Sequence, residues 1–275
     1  MPADRDRLRA WYADGAEWSR LAGDEGWLEH RRTLGLIARH IPVGSRVLDL
    51  GGGPGRYALH LAQRGDVVTL ADLSPELVAE ARTRLLDAGL SATTLVADAA
   101  DLSALPGAPF DAVLALGPLY HAADADELAG FLAQIAAVLR PGGVLLAAFI
   151  PRISGLSDFI ARAAVEPARL VPGVLSEALR TGHLAGSYFP HPEALVEALT
   201  PAFEVRAVVS LRGLGAGYGA QLRALEGKPV FAEVMAAIEA TAGRADVIGL
   251  GWHAVAIAVR REACVSGGQA GASVR

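Results

Sequence analysis

The 275-residue chain is long enough for one large α/β domain or for a core domain with a cap. A composition of 52% hydrophobic and 20% charged residues indicates a folded globular protein rather than a disordered one. The net charge of −5, without a block of Lys or Arg, argues against a nucleic-acid partner. The single cysteine, Cys264, excludes an intrachain disulfide framework.

The N-terminal residues mix acidic and basic side chains without an apolar run, so no signal peptide is predicted. No uninterrupted apolar stretch approaches the length of a membrane span, and the apolar run over 144–150 has the size of a strand. We therefore expect a cytoplasmic protein without a membrane partner.

Residues 1–40 are predicted to form a helical cap, because large apolar side chains recur there at helical spacing. Packing of this cap on the core is one interpretation of its aromatic residues. The other is that Tyr12 or Trp18 also closes over a ligand. A Pro- and Gly-containing break over 41–44 separates the cap from the first strand.

The rest of the prediction depends on a glycine-rich segment that follows the first strand. The strand, Val47 to Leu50, is apolar except for Asp49, and a helix begins near Tyr57. Four glycines lie between them, at positions 51, 52, 53 and 55. A strand that turns through glycines into a helix lets backbone approach a ligand and presents unpaired N–H groups. The segment therefore predicts a nucleotide-binding site.

The spacing of the glycines distinguishes two kinds of ligand. A dinucleotide fingerprint, G-x-G-x-x-G, would need a third glycine at the position of Arg56. The chain instead has G-x-G-x-G through Gly51, Gly53 and Gly55, preceded by Asp49. This pattern resembles motif I of the class I S-adenosylmethionine (SAM)-dependent methyltransferases, whose glycine loop passes under the amino-acid and ribose end of SAM. An NAD-dependent oxidoreductase is kept as a weaker alternative.

Acidic residues follow the next two predicted strands. The second strand ends at Asp72, roughly 20 residues beyond the glycines, where a carboxylate can accept hydrogen bonds from ribose hydroxyls. Asp98 follows the third strand, at the position where the resemblance implies a contact with the adenine amino group. Further candidate cofactor-binding residues are Tyr12 of the helical cap and, at the ends of the strands, Leu73, Ala99 and Leu116.

The fourth predicted strand, 110–116, runs into the loop Gly117-Pro-Leu-Tyr-His121. Ligands and chemistry gather at strand ends in open α/β sheets, so Tyr120 and His121 are expected to face a substrate. The loop differs from the N-P-P-Y type of methyltransferases that act on nucleic-acid bases. This difference again favours a small molecule.

After the fifth strand, the segment 151–190 is predicted to form a lid, since it is too long for a simple connection. A sixth strand over 204–211, a helical insertion over 212–250 and a seventh strand over 252–259 follow. Residues 263–275 are small and polar and are expected to be a disordered tail.

Together these features, over about residues 40–150, resemble a bacterial small-molecule branch of the class I methyltransferases, of the type 11/25 kind. The resemblance implies a Rossmann-like seven-stranded sheet with its last strand antiparallel and helices on both faces. We expect one domain over 1–262, with its SAM-binding core at 41–150 and the second half of its sheet at 191–262.

Methyl transfer is an in-line displacement that depends on positioning, and it needs a general base only for a protonated acceptor. His121 is the first candidate base and His253 the second, while Tyr120 could orient the acceptor. No His or Cys pairs have metal-ligand spacing, so no metal is expected. We predict methylation of an O or N atom of a small, apolar or aromatic acceptor. The alternative is a methyltransferase-like protein that binds SAM but catalyses a cyclisation or rearrangement, or only binds.

Overall fold

The computed structural model describes residues 5–12, 17–166, 171–184 and 186–262. The predicted tail over 263–275 and Cys264 lie outside these residues.

The described residues form nine strands, of which seven belong to one large sheet and two to a small hairpin. In chain order they are β1 (Arg46–Leu50), β2 (Val67–Asp72), β3 (Thr93–Val96), β4 (Phe110–Ala115), β5 (Leu139–Phe149), β6 (His183–Leu184), β7 (Ser187–Tyr188), β8 (Phe203–Ser210) and β9 (Ala254–Arg260).

The α-helices surround the strands and also occupy the N-terminal region. They are α1 (Arg5–Tyr12), α2 (Glu17–Arg20), α3 (Asp24–His40), α4 (Arg56–Gln63), α5 (Pro75–Asp87), α6 (Ala125–Val138), α7 (Arg152–Val165), α8 (Val174–Thr181), α9 (Pro192–Leu199), α10 (Gly219–Arg223), α11 (Val230–Thr241) and α12 (Ala245–Ile248). Short 3₁₀ turns cover Pro118–His121 and Gly213–Gly215.

The seven strands of the large sheet have the order β3-β2-β1-β4-β5-β9-β8. β9 runs antiparallel to both of its neighbours, whereas the pairs from β3 to β5 are parallel. This confirms the predicted Rossmann-like sheet with an antiparallel last strand. The strand order reverses at β1, which has β2 on one side and β4 on the other. Such a switch point opens a crevice at the carboxyl ends of the strands.

The apolar runs of the central strands are buried on both faces, as expected for parallel strands covered by helices. α6 and α9 cover one face, and α3, α4 and α5 cover the other. Successive residues alternate between the two layers because side chains alternate along a strand. The first layer holds Leu48, Leu50, Val113, Ala115, Leu145 and Ala147, and the second holds Val47, Ala112, Leu114, Leu146 and Ala148.

The segment predicted as a lid contains α7, α8 and a hairpin of β6 and β7. The hairpin was not predicted, since its two-residue strands are too short to show a periodicity. Arg152 on α7 is 8% exposed and organises the segment. Its guanidinium donates hydrogen bonds to four carbonyl oxygens: those of Leu179, Arg180 and Thr181 at the end of α8, and that of Phe189. In the part of the chain that the structure describes, no helix is long and apolar enough to cross a membrane.

We expect Arg152→Leu to lower the free energy of unfolding by about 3 kcal/mol, because the substitution leaves the carbonyls at the end of α8 without their donor. Urea denaturation checks the change. Arg180→Leu is the control: Arg180 pairs with Glu177 on the surface of the same helix, and exposed pairs contribute about 1 kcal/mol or less. Equal losses in the two variants would contradict the role given to Arg152.

Candidate active site

Two neighbouring cavities lie at the carboxyl ends of the central strands. The larger one encloses about 1020 Å³ of empty space, its open mouth included. Strand ends form its floor, and α1 and α2 form part of its wall. Eleven of the residues predicted from sequence line it: Tyr12, Asp49, Gly51, Gly53, Asp72, Leu73, Asp98, Ala99, Leu116, Tyr120 and His121. Gly55 and His253 do not line this cavity, and neither do the described residues of the segment 151–190.

The glycine loop forms the part of the wall next to β1. Gly51 and Gly53 have positive φ angles of 67° and 54°, a region that side chains rarely adopt. A Cβ atom placed on Gly53 would meet only Cγ of Glu17, at 3.6 Å, so the remaining space around it belongs to the cavity. Gly55 also has a positive φ, of 88°, but a Cβ atom there would lie 3.0 Å from Cβ of Ala81. Gly55 therefore allows the loop to pack closely on α5.

Asp72, at the end of β2, ties this loop to the next helix. Its Oδ2 accepts a hydrogen bond from the Gly53 amide at 2.8 Å, and its Oδ1 accepts one from the Ser74 amide at 2.9 Å. Burial raises the pKa of Asp72, and these two amides oppose that effect. Each carboxylate oxygen keeps a second lone pair, so both can still accept a hydrogen bond from a ligand hydroxyl.

Asp49, on β1, is a second buried carboxyl group in the wall. It is 1% exposed, and its Oδ2 has no hydrogen-bond partner among the described residues. Burial, and next the charge of Asp72, raise the pKa of Asp49 to about 7. A buried polar atom without a partner is costly, so this oxygen marks a place where a ligand cation or donor would stabilise the site.

The N-terminal helix α1 covers the far end of the cavity. Arg5 bridges two carboxylates, with Nε 2.8 Å from Asp98 and Nη2 2.8 Å from Glu127. The Tyr12 hydroxyl lies 2.8 Å from Nε2 of His121. Sequence reasoning missed Arg5 and Glu127, because no local pattern connects residues that are more than 90 positions apart.

Three aromatic rings, those of His121, Tyr120 and His253, form a row that leads from the larger cavity into the interior. Tyr120 lies between His121 and His253, at centroid distances of 4.8 Å and 5.2 Å. Burial lowers the pKa of His121 to about 4, with further contributions from His253 and Arg5. His253 lines the smaller cavity and contacts Glu29. His253 was a predicted candidate, whereas sequence reasoning missed Glu29.

The groups around the larger cavity fit SAM. The ligand has an ammonium group, ribose hydroxyls and an adenine amino group, all of which are hydrogen-bond donors. Four carboxyl groups line the wall, those of Glu17, Asp49, Asp72 and Asp98. The last three lie at strand ends and could accept these hydrogen bonds, and the unpartnered oxygen of Asp49 suits the ammonium group. Within the described ranges, no group of three or more His, Cys, Asp or Glu side chains could hold a metal ion.

Fold and cavity together define an open α/β protein with a cavity at its topological switch point, the place where such folds bind ligands. Residues 47–143 match the family model described as a methyltransferase domain. Residues 47–143 therefore form a methyltransferase domain of the class I SAM-dependent type, and SAM is the cofactor of that domain. The predicted family and cofactor are thereby confirmed, in place of the NAD alternative.

Two curated relatives are similar to part of the chain. The chain is 34% identical over 164 residues to a ubiquinone biosynthesis O-methyltransferase of Xanthomonas axonopodis pv. citri, an alignment that covers 60% of this chain and 65% of the relative. The protein of the same name from Xylella fastidiosa is 37% identical over 120 residues, which cover 43% of this chain and 48% of the relative. The chain thus spans about half to two thirds of these relatives.

Solved structures share the fold at low sequence identity. Magnesium protoporphyrin IX methyltransferase from Synechocystis PCC 6803 is 19% identical with a TM-score of 0.59, over 94% of this chain and 100% of that one. The [4+2]-cyclase SpnF is 21% identical with a TM-score of 0.55, over 86% and 81% of the two chains. These similarities show the fold alone.

Gly53→Ala is expected to weaken binding of S-adenosylhomocysteine (SAH), the demethylated product, by about tenfold or more, because its methyl group enters the cavity. Gly89→Ala is the matched control: Gly89 also has a positive φ, of 67°, but nothing lies within 4 Å of its added Cβ. Both variants carry a backbone strain of about 1 kcal/mol. Calorimetric titration compares their affinities, and equal losses would remove Gly53 from the site.

The protonation of Asp49 predicts a pH dependence of SAH binding. The ligand's ammonium group favours the ionised carboxyl, so that binding releases a proton whenever Asp49 is protonated beforehand. With a pKa of about 7 for Asp49, affinity should fall by about tenfold at one pH unit below that value and level off above it. Asp49→Asn should abolish this dependence while Asp72 remains. A wild-type affinity that is flat from weakly acidic to weakly basic pH would contradict the assignment.

Proposed function

We propose that this protein transfers the methyl group of SAM to an oxygen atom of a small-molecule acceptor. The unpartnered carboxylate oxygen of Asp49 beside the glycine loop is the observation on which cofactor binding mainly rests. The choice of oxygen is supported by the relatives, which are named O-methyltransferases. We further propose that residues 1–262 act as one domain, in which 1–40 cover the cofactor. The insertion 151–190, predicted as a lid, instead packs against the loop that follows β4, where the Tyr188 amide donates to the Ala122 carbonyl.

The chain's own residues would bind and orient the cofactor. Asp72 would accept hydrogen bonds from the ribose hydroxyls, and Asp49 would pair with the ammonium group. Asp98 would accept a bond from the adenine amino group after Arg5, which is now its partner, has moved or changed its hydrogen bonds. When bound, SAM supplies an electrophilic methyl group that a positioned nucleophile can attack.

The acceptor would enter beside the loop that follows β4. Tyr120 is 9% exposed and Leu116 is partly buried, and both line the cavity wall together with Tyr57. These side chains offer an apolar and aromatic surface, which supports an acceptor with an apolar or aromatic body. Such a surface would also exclude water from the reacting atoms.

His121 is a poor proton acceptor in its present environment. Its Nε2 already contacts the Tyr12 hydroxyl, and its pKa of about 4 means that the imidazole binds a proton weakly at neutral pH. In this proposal His121 holds Tyr12 over the cavity. The cytoplasmic location stays a prediction.

Binding and transfer of a labelled methyl group test the proposal separately. Calorimetry should show that SAH binds and that NADH, the control ligand, does not. The protein is then incubated with methyl-labelled SAM and either phenol or catechol, and a labelled methyl ether is the expected product. Binding of NADH in place of SAH would overturn the cofactor assignment. Binding of SAH without transfer to any of a wider panel of phenols and alcohols would favour the alternative of a SAM-binding protein that catalyses another step.

A further inference from the structure

A buried pair of ionisable side chains lies next to the cofactor cavity and takes no part in the cofactor contacts proposed above. Glu29 on α3 is 2% exposed, and His253, directly before β9, is 6% exposed. Nδ1 of His253 lies 3.0 Å from Oε1 of Glu29. Charged groups are rarely buried so completely, and a buried His–carboxylate pair next to a cleft indicates a functional site.

The charge of Glu29 determines which nitrogen of His253 carries the proton. Burial acts to raise the pKa of Glu29, but His253, Arg212 and Arg20 outweigh it and hold that pKa at about 2. An ionised carboxylate only accepts hydrogen bonds, so Nδ1 must donate. In the neutral imidazole the lone pair is then on Nε2, as in the histidine of a catalytic triad.

Nε2 of His253 has no hydrogen-bond partner among the described residues. The ring lines the smaller cavity, which encloses about 280 Å³ of empty space, open solvent included. This cavity and the cofactor cavity lie side by side, because four residues line both: Arg20, Leu21, Tyr57 and Leu116. A polar group placed against His253 therefore lies next to the cofactor.

The charges around the smaller cavity are paired with one another. Glu29 contacts Arg212 at 3.0 Å and Arg20 at 3.6 Å. Arg20 also pairs with Glu17 at 2.6 Å, and Arg212 pairs with Glu25 at 3.4 Å. The three carboxylates exceed the two guanidinium groups by one unit, so a carboxylate placed here would add to an excess of negative charge. A neutral hydroxyl needs no counter-charge and can donate a hydrogen bond to Nε2.

We propose that the smaller cavity binds the hydroxyl group of the acceptor and that His253, held by Glu29, accepts its proton. The inference rests on the proposed methyl transfer to oxygen. The acceptor hydroxyl donates to Nε2, and its oxygen forms a bond to the methyl carbon. The carbon–sulfur bond breaks and leaves its electron pair on sulfur, while the proton passes to Nε2. Glu29 stabilises the resulting imidazolium, which later releases the proton to solvent.

The acceptor class follows from the same arrangement. The acceptor is a neutral phenol or alcohol, since the cavity needs a proton donor for Nε2 and its excess of negative charge disfavours an anionic group. Its apolar body would lie against Leu116 and Tyr57. His253 differs from His121 in having a ring nitrogen that is free to accept, since Nε2 of His121 is already hydrogen-bonded to Tyr12.

NMR of the full-length protein with isotope-labelled histidine tests the inference without a turnover assay. Phenol is the probe, and fluorobenzene, which has a similar shape but no O–H group, is the control. Phenol should shift the Nε2 resonance of His253 saturably, and fluorobenzene should not. If phenol causes no shift, or if phenol and fluorobenzene cause equal shifts, the proposal is overturned. Nε2 of His253 would then accept a hydrogen bond from bound water and from no acceptor hydroxyl. The titration is repeated with and without SAH. The proposed function fails if SAH itself does not bind, whereas the present inference fails if SAH binds but phenol does not shift the Nε2 resonance.

Two variants test the pair. His253→Phe keeps a ring over Tyr120 and removes the accepting nitrogen, so phenol affinity should fall about tenfold, as expected for one lost hydrogen bond, while SAH affinity stays unchanged. Glu29→Gln should replace the single Nδ1–H tautomer of His253 by a mixture. His60→Gln, on α4 and lining neither cavity, is the control and should keep the wild-type values. Unchanged phenol affinity in His253→Phe would refute the proposal. If that variant does not fold, the NMR titration of the wild-type protein with phenol and fluorobenzene decides the question.

Discussion

The hydrogen bond from the Gly53 amide to the Asp72 carboxylate joins the ligand-facing ends of β1 and β2. The other oxygen of the same carboxylate accepts from Ser74, the N-cap residue of α5. One buried side chain thus fixes the glycine loop and the start of the next helix. Asp49 is also buried and lies near Asp72. Its Oδ2 has no hydrogen-bond partner among the described residues. The site therefore carries an unfavourable burial of negative charge that a cationic ligand offsets, and local conflicts of this kind are typical of functional sites.

Much of the lining of the larger cavity could be predicted because it lies at the ends of strands. The pattern of strand, glycine turn and helix fixed the position of Gly51 and Gly53, and the ends of β2 and β4 fixed those of Asp72 and Leu116. In a parallel sheet, the carboxyl ends of neighbouring strands meet at one edge, so a local pattern becomes a spatial cluster. Spacing alone could not show that Gly55 faces Ala81 whereas Gly53 faces the cavity, because both glycines have positive φ angles and need the same backbone freedom.

The residues that prediction missed come mainly from helices in the first 40 positions. Arg5, Arg20 and Glu29 reach the two cavities through contacts with residues far away in the sequence, and Glu29 meets His253 across 224 positions. An amphipathic pattern predicts a helix and its buried face, but it does not say which distant strand end that face will meet. Arg152 was missed for a similar reason. A buried arginine that caps a neighbouring helix has the same sequence signature as an exposed one.

The ion pairs made by the N-terminal helices are more exposed at the outer edge of the site than in its interior. Arg5 is 20% exposed and Asp98 33% exposed, so their ion pair is partly screened and can be exchanged for ligand contacts at small cost. Glu29 is 2% exposed and has three partners, Arg20, Arg212 and His253, so the loss of either arginine would leave its buried charge less well compensated. The same region of the chain therefore supplies an exchangeable ion pair at Asp98 and a fixed interior around His253. Such a combination would let a cofactor enter and leave while the groups proposed to face the acceptor keep their geometry.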